Sequence, residues 1–427
     1  MGLALLLGLF AFCIVIGVPV AFAMGIAAAA VFFYEGFPLL ITFQRITSGI
    51  TVFSLLAIPF FIFAGELMLH GGIAIRLVRF ASALVGHVRG GLASVNIFSS
   101  MLFGGISGSA VADISALGSI LIPVMKEKGY RGDYAVNVTV TSSIAGVVIP
   151  PSHNMIIFTV AAGGGISISK LFMAGVVPGI LMCLCLAIAA YIVALRHNYP
   201  AEAFPGWRVV ALAAATAIPG LVTAIIIVGG VLSGVFTVTE SGAFGAIYAL
   251  ALTVIVYRSL SWEAFKTAVV NSVRTTAMVM ILIGCASAFG YLLALYQVPE
   301  LLSRSLLAIS ENPIMILLMI NLMLLMLGMI MDMAALILIC TPIFLPIASA
   351  IGMDPVQFGI MLLMNLGLGL CTPPVGACLF VGCAVGKVPI EETLKSIWPF
   401  YLAILAALLA VTFIPAISMT LPGLVSL

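Results

Sequence analysis

The chain has 427 residues, 64% of them apolar and only 7% charged, against roughly 45–50% and 25% in an ordinary soluble domain. That excludes a soluble protein and leaves no length for a sizeable extramembrane domain. Sixteen basic residues nearly cancel fourteen acidic ones, leaving +2, and no basic run exists to hold nucleic acid, so the expected surrounding is the lipid bilayer.

A hydrocarbon core about 30 Å thick takes about 20 helical residues to cross. Charges, Pro-Gly clusters and polar turns divide the chain into about ten crossings. In chain order the first lie near 2–17, 19–34 and 52–69. No basic n-region or small-residue cleavage pattern marks the first as a removable signal peptide. Residues 73–88 carry Arg76 and Arg79 among apolar neighbours at helical spacing and read as an amphipathic arm in the interface plane. The apolar region 90–127 turns round at Gly104-Gly105-Ile106-Ser107-Gly108-Ser109, so it reads as a re-entrant hairpin. Crossings at 133–163 and 171–195 complete a first unit, residues 1–205.

The second unit, 206–427, has crossings at 209–231, 240–257 and 268–293. A second arm at 296–310 follows, with Glu300 and Arg304 spaced to pair. A second hairpin at 314–350 turns at Gly328-Met329-Ile330-Met331-Asp332, and crossings at 357–385 and 397–419 end the chain. The fold expected is an all-α polytopic membrane protein. Unwound backbone at membrane depth is tolerated only where protein buries it or a wet cavity meets it, so two hairpin tips imply an internal cavity. The eight cysteines are scattered singly, without metal or redox spacing, and read as small core residues.

The two units are related. Pro123 lies 27 residues before Pro150, and Pro346 lies 27 before Pro373, so a single offset of 223 superposes both pairs. The same offset matches Gly105 with Gly328, Gly129 with Gly352, Gly146 with Gly369, and Tyr34 with Tyr257. Five crossings per unit, an odd number, make this an inverted-topology repeat. Charge bias agrees: in that arrangement Arg76, Arg79, Arg89, Lys126, Lys128, Arg131, Arg196, Arg208, Arg258, Lys266, Lys387 and Lys395 all fall on the cytoplasmic side. Both termini then face out, and the hairpins dip in from opposite faces. If residues 2–34 were one long tilted helix, the N-terminus would lie inside instead.

Pro150-Pro151 and Pro373-Pro374 each sit in the middle of a crossing. A double proline removes two backbone donors and breaks the helix, freeing carbonyls just upstream. Such oxygens, with hydroxyls from a hairpin tip, suit Na⁺, and two broken helices suggest at least two Na⁺ per cycle. The alternative for either break is a plain proline kink with Ser or Thr bonding back to the helix. Asp332, at the second tip, is the intramembrane charge best placed to meet substrate hydroxyl or amine groups or an ion; its alternative is a helix cap. An enzyme reading, an intramembrane serine protease, rests on Gly105-Ile106-Ser107-Gly108 as a GxSG nucleophile motif with His153 as base. It gives no reason for two opposed hairpins.

Four stretches carry a family resemblance: Gly104 to Asp113, Gly146 to Ser152, Phe236 to Ala243, and Leu370 to Gly376. In this order, and over essentially the whole chain, they resemble the large membrane subunit of TRAP (tripartite ATP-independent periplasmic) transporters. Val238 departs from a frequent family proline at a helix start. The resemblance implies an elevator-type transporter of the ion transporter superfamily, in the bacterial inner membrane, driven by Na⁺. A small membrane subunit would complete the scaffold, and a soluble periplasmic substrate-binding protein would deliver a carboxylate. It implies one Na⁺ site at Ser107, Gly146, Val148 and Pro150, and another at Gly328, Gly369, Thr372 and Pro373. Substrate would lie between them near Ser107, Ser152 and Asp332. Overall similarity is greatest to the sialic-acid members, with C4-dicarboxylates second. A binding-protein-independent dicarboxylate or citrate symporter is the alternative within transport.

Overall fold

A computed structural model of the chain describes residues 1–424, apart from the side chains of Leu39 and Ile106. Among the described residues every regular element is helical. The repeat read from the prolines is present in the element bounds. Adding 223 carries the arm Ile73–Val85 to within two residues of the arm Val298–Ile309. The hairpin limb Gly91–Ser107 likewise lands on Pro313–Gly328, and Glu127, which ends the returning limb, lands on Ala350. Gly132 starts the first broken helix and Pro355 the second, and His153–Ala161 beyond the first break answers Ala377–Gly386 beyond the second. Each hairpin ends in a turn that needs a left-handed residue, and Gly129 (φ +83°) and Gly352 (φ +91°) supply it.

The symmetry fails in one place that the hydropathy reading passed over. Leu39–Ile50 is a helix, where residues 35–51 read as a connection. It corresponds to the start of Trp262–Leu295, a continuous helix of 34 residues. In the first half that long element is interrupted by the 3₁₀ turn Phe53–Leu56 before Ala57–His70. The interruption follows Thr47-Ser48-Gly49-Ile50-Thr51, a run of poor helix formers. Hydroxyls of Thr47, Ser48 and Thr51 bond back to the carbonyls of Phe43, Arg45 and Ser48 at 2.8, 3.0 and 3.2 Å. The short helix packs along Trp262–Leu295, with the Arg45 guanidinium 3.8 Å from the Tyr291 ring centre.

Residues 2–34 are two helices, Gly2–Val15 and Val20–Tyr34, packed on one another across a turn at Gly17 (φ +85°). The single tilted helix is therefore ruled out. The final crossing, expected as one segment over 397–419, is divided into Trp398–Phe413 and Pro415–Leu424, because Pro415 cannot donate to the turn before it. Among the described residues six helices are long and apolar enough to span by themselves, and two bent pairs add to them. The ten segments expected include halves too short to cross alone.

Contacts between loops fix which ends lie together. The Gly90 N–H donates to the Pro200 carbonyl at 3.2 Å, Lys128 pairs with Glu202 at 3.0 Å, and Lys126 donates to the Gly386 carbonyl at 2.7 Å. Ser259 donates to the Gly71 carbonyl at 2.6 Å, and Arg76 stacks over Tyr257 at 3.9 Å. The base of the first hairpin and the basic loops thus share one end of the molecule. Ile168–Arg196, 29 residues long and so about 44 Å, runs from there to the other end. At that end Lys170 lines a cleft with Asp354, Pro422 and Gly423, beside the base of the second hairpin. The hairpins enter from opposite ends. The arms bind them: Ile73–Val85 packs along Gly91–Ser107, and Val298–Ile309 against Met333–Ala350. Glu300 and Arg304 do not pair with each other; both face Pro346 and Ile347 across a cleft of about 240 Å³.

Candidate functional site

In each half a hairpin tip rests on a broken helix, and glycine meets glycine at the contact. A Cβ placed on Gly104 would lie 2.5 Å from the Gly146 Cα. One placed on Gly369 would lie 2.6 Å from the Gly328 carbonyl carbon. Nothing larger than hydrogen fits at either point. The sequence offset pairs Gly105 with Gly328, but the residue that meets the break is Gly104; Gly105 faces the Pro150 carbonyl, 3.1 Å from where its Cβ would stand. The first tip is one residue longer than the second.

The first tip is closed and held. Ser107 ends the incoming limb, Gly108 turns left-handed, and Ser109 caps the next short helix by accepting from Ala112 N–H at 3.4 Å. Asn154, just past the break, donates to the Gly108 carbonyl at 3.3 Å. A Cβ on Gly146 would stand 3.6 Å from the Ser107 hydroxyl. Ser107, Gly146 and Pro150 are therefore brought together. Pro150 and Pro151 carry no N–H, which deprives the Gly146 and Val147 carbonyls of their helical donors. Val148 is placed differently: its carbonyl packs against Gly175 of Ile168–Arg196. Ser152 is fully buried and its hydroxyl has no protein partner.

The second tip is more open. Met329 accepts from the N–H groups of Val375 and Gly376 at 3.0 and 3.4 Å, which seats the tip on the loop after Pro373-Pro374. Gly328 and Gly369 are in contact, and Thr372 adjoins them, its N–H donating to the Gly369 carbonyl at 2.9 Å. The Thr372 hydroxyl donates to Leu368 O at 2.7 Å, the back-bond expected at a kinked helix, and stands beside the Tyr401 hydroxyl. Pro373 is half-buried, while Pro374 and Val375 are exposed. Asp332 is exposed and caps Met333–Ala350, accepting from Ala334 N–H at 3.0 Å. That is the role of Ser109, its counterpart by the offset. Asp332 shares no hydrogen bond with Ser107 or Ser152.

The two breaks lie side by side. A Cβ on Gly367 would be 2.7 Å from Ile144, and Cys371 Sγ donates to the Val140 carbonyl at 3.4 Å. Polar side chains inside the bundle, absent from the expected site, join each incoming limb to its broken helix. Asn96 donates to Thr139 at 2.6 Å in one half, and Asn365 donates to Asn321 at 2.9 Å in the other. Their signal was the recurrence of Asn, Ser and Thr at helical spacing on otherwise apolar segments. The Ser107 hydroxyl accepts from Ser109 N–H at 3.4 Å and makes no hydrogen bond with His153.

Two opposed hairpins seated on two broken helices are the frame against which relatives can be compared. Residues 7–417 match the family described as the tripartite ATP-independent periplasmic transporter, DctM component. The chain belongs to this family. It is a TRAP large permease, a multi-pass transport protein and not an enzyme. It is 38% identical to the sialic acid TRAP transporter large permease protein SiaM of Vibrio cholerae, over 96% of this chain and 95% of that one. Against the C4-dicarboxylate TRAP transporter large permease protein DctM of Rhodobacter capsulatus it is 34% identical, over the full length of both. The crystal structure of the YdaH transporter of Alcanivorax borkumensis shares the fold, with a TM-score of 0.64, 13% identity and 88% of each chain covered. TRAP large permeases take up solute together with a small membrane subunit and a periplasmic binding protein.

Proposed function

We propose that this TRAP permease couples Na⁺ entry to uptake of a carboxylate solute across the bacterial inner membrane by an elevator movement. The observation that carries the reading is the duplicated contact: each tip lies glycine to glycine on a helix that a double proline has broken, and at the first break the Gly146 and Val147 carbonyls are left without their helical donors. Gly146, Pro150 and the Ser107 hydroxyl would bind one Na⁺, with the Val147 carbonyl in the place expected of Val148, whose own carbonyl is turned to Gly175. Gly328, Gly369, Thr372 and Pro373 would bind a second. Na⁺ seals tip to break by replacing lost N–H donors with a cation, so ion release loosens the contact. Substrate would sit between the sites at Ser107, Ser152 and Asp332. The unpartnered Ser152 hydroxyl is a donor suited to a carboxylate, and Asp332 an acceptor for substrate hydroxyls. The arms join hairpins to the remaining helices, a linkage suited to rigid-body travel of the hairpins and broken helices as one body.

Sialic acid is the favoured substrate and a C4-dicarboxylate the second, in line with the two relatives named above. The test is reconstitution with the small subunit in liposomes, adding a sialate-binding or a dicarboxylate-binding protein, with and without a Na⁺ gradient. Uptake is expected with one binding protein only, and only with the gradient. Uptake of free solute without any binding protein would favour the independent symporter.

A further inference from the structure

Asp113 has no place in the sites described above, yet it is the most enclosed carboxylate among the described residues. It is 1% exposed, in the returning limb of the first hairpin, and neither carboxylate oxygen has a hydrogen-bond donor. The limb passes into a π-helical turn, Ile114–Gly118, directly after it, a distortion that recurs at functional sites. Ser100 of the incoming limb stands beside it. The Ser100 hydroxyl is 3.0 Å from that of Ser142 on the broken helix, and Ser142 in turn lies 3.5 Å from the Asn96 amide oxygen. The nearby Ser99 hydroxyl is also buried without a partner. A row of oxygens therefore crosses from the broken helix to a buried carboxylate whose one polar neighbour is the Ser100 hydroxyl, with no hydrogen bond of good geometry to either oxygen.

The internal repeat serves as a control. The residue matched to Asp113 by the offset of 223 is Leu336, buried in the second hairpin. The hairpin fold thus does not require an acid there. A bare carboxylate at this depth is strongly disfavoured. A proton would remove the charge, and its O–H could be accepted by the Ser100 hydroxyl, but the carboxyl's other oxygen would still lack a donor. A small cation would neutralise the charge and use both carboxylate oxygens with the hydroxyl lone pairs of Ser100 and Ser142, a hard-oxygen set that suits Na⁺.

We propose that Asp113, with Ser100 and Ser142, forms a third Na⁺ site, inside the first hairpin and separate from the tip. The inference rests on Na⁺ being the coupling ion. The test is equilibrium binding of radioactive Na⁺ to the full chain purified with its small subunit, counted for wild type, Asp113→Asn and Asp113→Leu. Wild type is expected to bind one Na⁺ more than either variant, and Leu reproduces the residue the second hairpin carries. Should both variants fail to fold, Ser100→Ala is expected to keep the count at saturating Na⁺ and weaken one ion about tenfold, a loss of about 1.4 kcal/mol. Equal counts in wild type and the Asp113 variants, or an unweakened Ser100→Ala where they do not fold, overturn the third site alone. A wild type that binds no Na⁺ overturns the coupling reading and this site with it.

Discussion

The glycine contact between tip and break can be tested by adding a single methyl group. In Gly369→Ala the new Cβ would stand 2.6, 2.7 and 3.0 Å from C, Cα and O of Gly328, whereas carbon atoms rest about 3.5–4.0 Å apart. The obstacle is backbone, which no rotamer change relieves, so the tip must withdraw by about 1 Å. Extra methyl groups in packed contacts cost about 1–3 kcal/mol, and replacing a helical glycine returns about 0.5–1 kcal/mol. A net cost of about 1.2 kcal/mol on the closed contact corresponds to a roughly eightfold rise in the Na⁺ needed for half-maximal uptake. Gly290→Ala is the control, since nothing lies within 4 Å of its Cβ position; Na⁺ dependence should stay as in wild type and melting should not fall. The assay is initial uptake in proteoliposomes across a Na⁺ series. If Gly369→Ala needs no more Na⁺ than wild type, the contact does not form an ion site.

Other perturbations separate the parts of the account. Reporter fusions after Lys128 and after Gly352 should report opposite faces of the membrane, because the two hairpin bases lie at opposite ends of the molecule; one shared face would contradict the inverted repeat. Asp332→Asn keeps a side chain that can still cap a helix, so a merely structural Asp332 would transport normally. A substrate or ion role predicts a loss of about tenfold, about 1.4 kcal/mol, with assembly intact. Ser107→Ala and Thr372→Ala should each raise the Na⁺ requirement before they change solute affinity, read as separate titrations of ion and solute.

The architecture was legible because membrane folding writes itself into few signals. Proline pairs, charge sidedness and small-residue tips each follow from the cost of unsatisfied backbone or charge in hydrocarbon, and they locate hairpins, breaks and ends. Hydropathy was blind to Leu39–Ile50, whose Gln44, Arg45, Thr47 and Ser48 lower the average although its apolar face packs on a neighbour. It also merged Trp398–Phe413 with Pro415–Leu424, because Pro415 ends a helix without changing polarity. Within the candidate site the break and tip residues could be named, but not the register between them. Gly104 rather than Gly105 meets Gly146 because the first tip holds one more residue, a matter of packing between segments about forty residues apart. The enclosure of Asp113 is a property of three helices at once and has no signature in any one of them.

The central claim is that two tip-and-break contacts bind the driving ions. The most direct measurement is initial solute uptake by the reconstituted transporter against external Na⁺, with the membrane potential clamped and a matched proton gradient as comparison. The account predicts a steeper than linear rise with Na⁺, abolished when the Na⁺ gradient is removed. Equal uptake on a proton gradient in Na⁺-free buffer would contradict it.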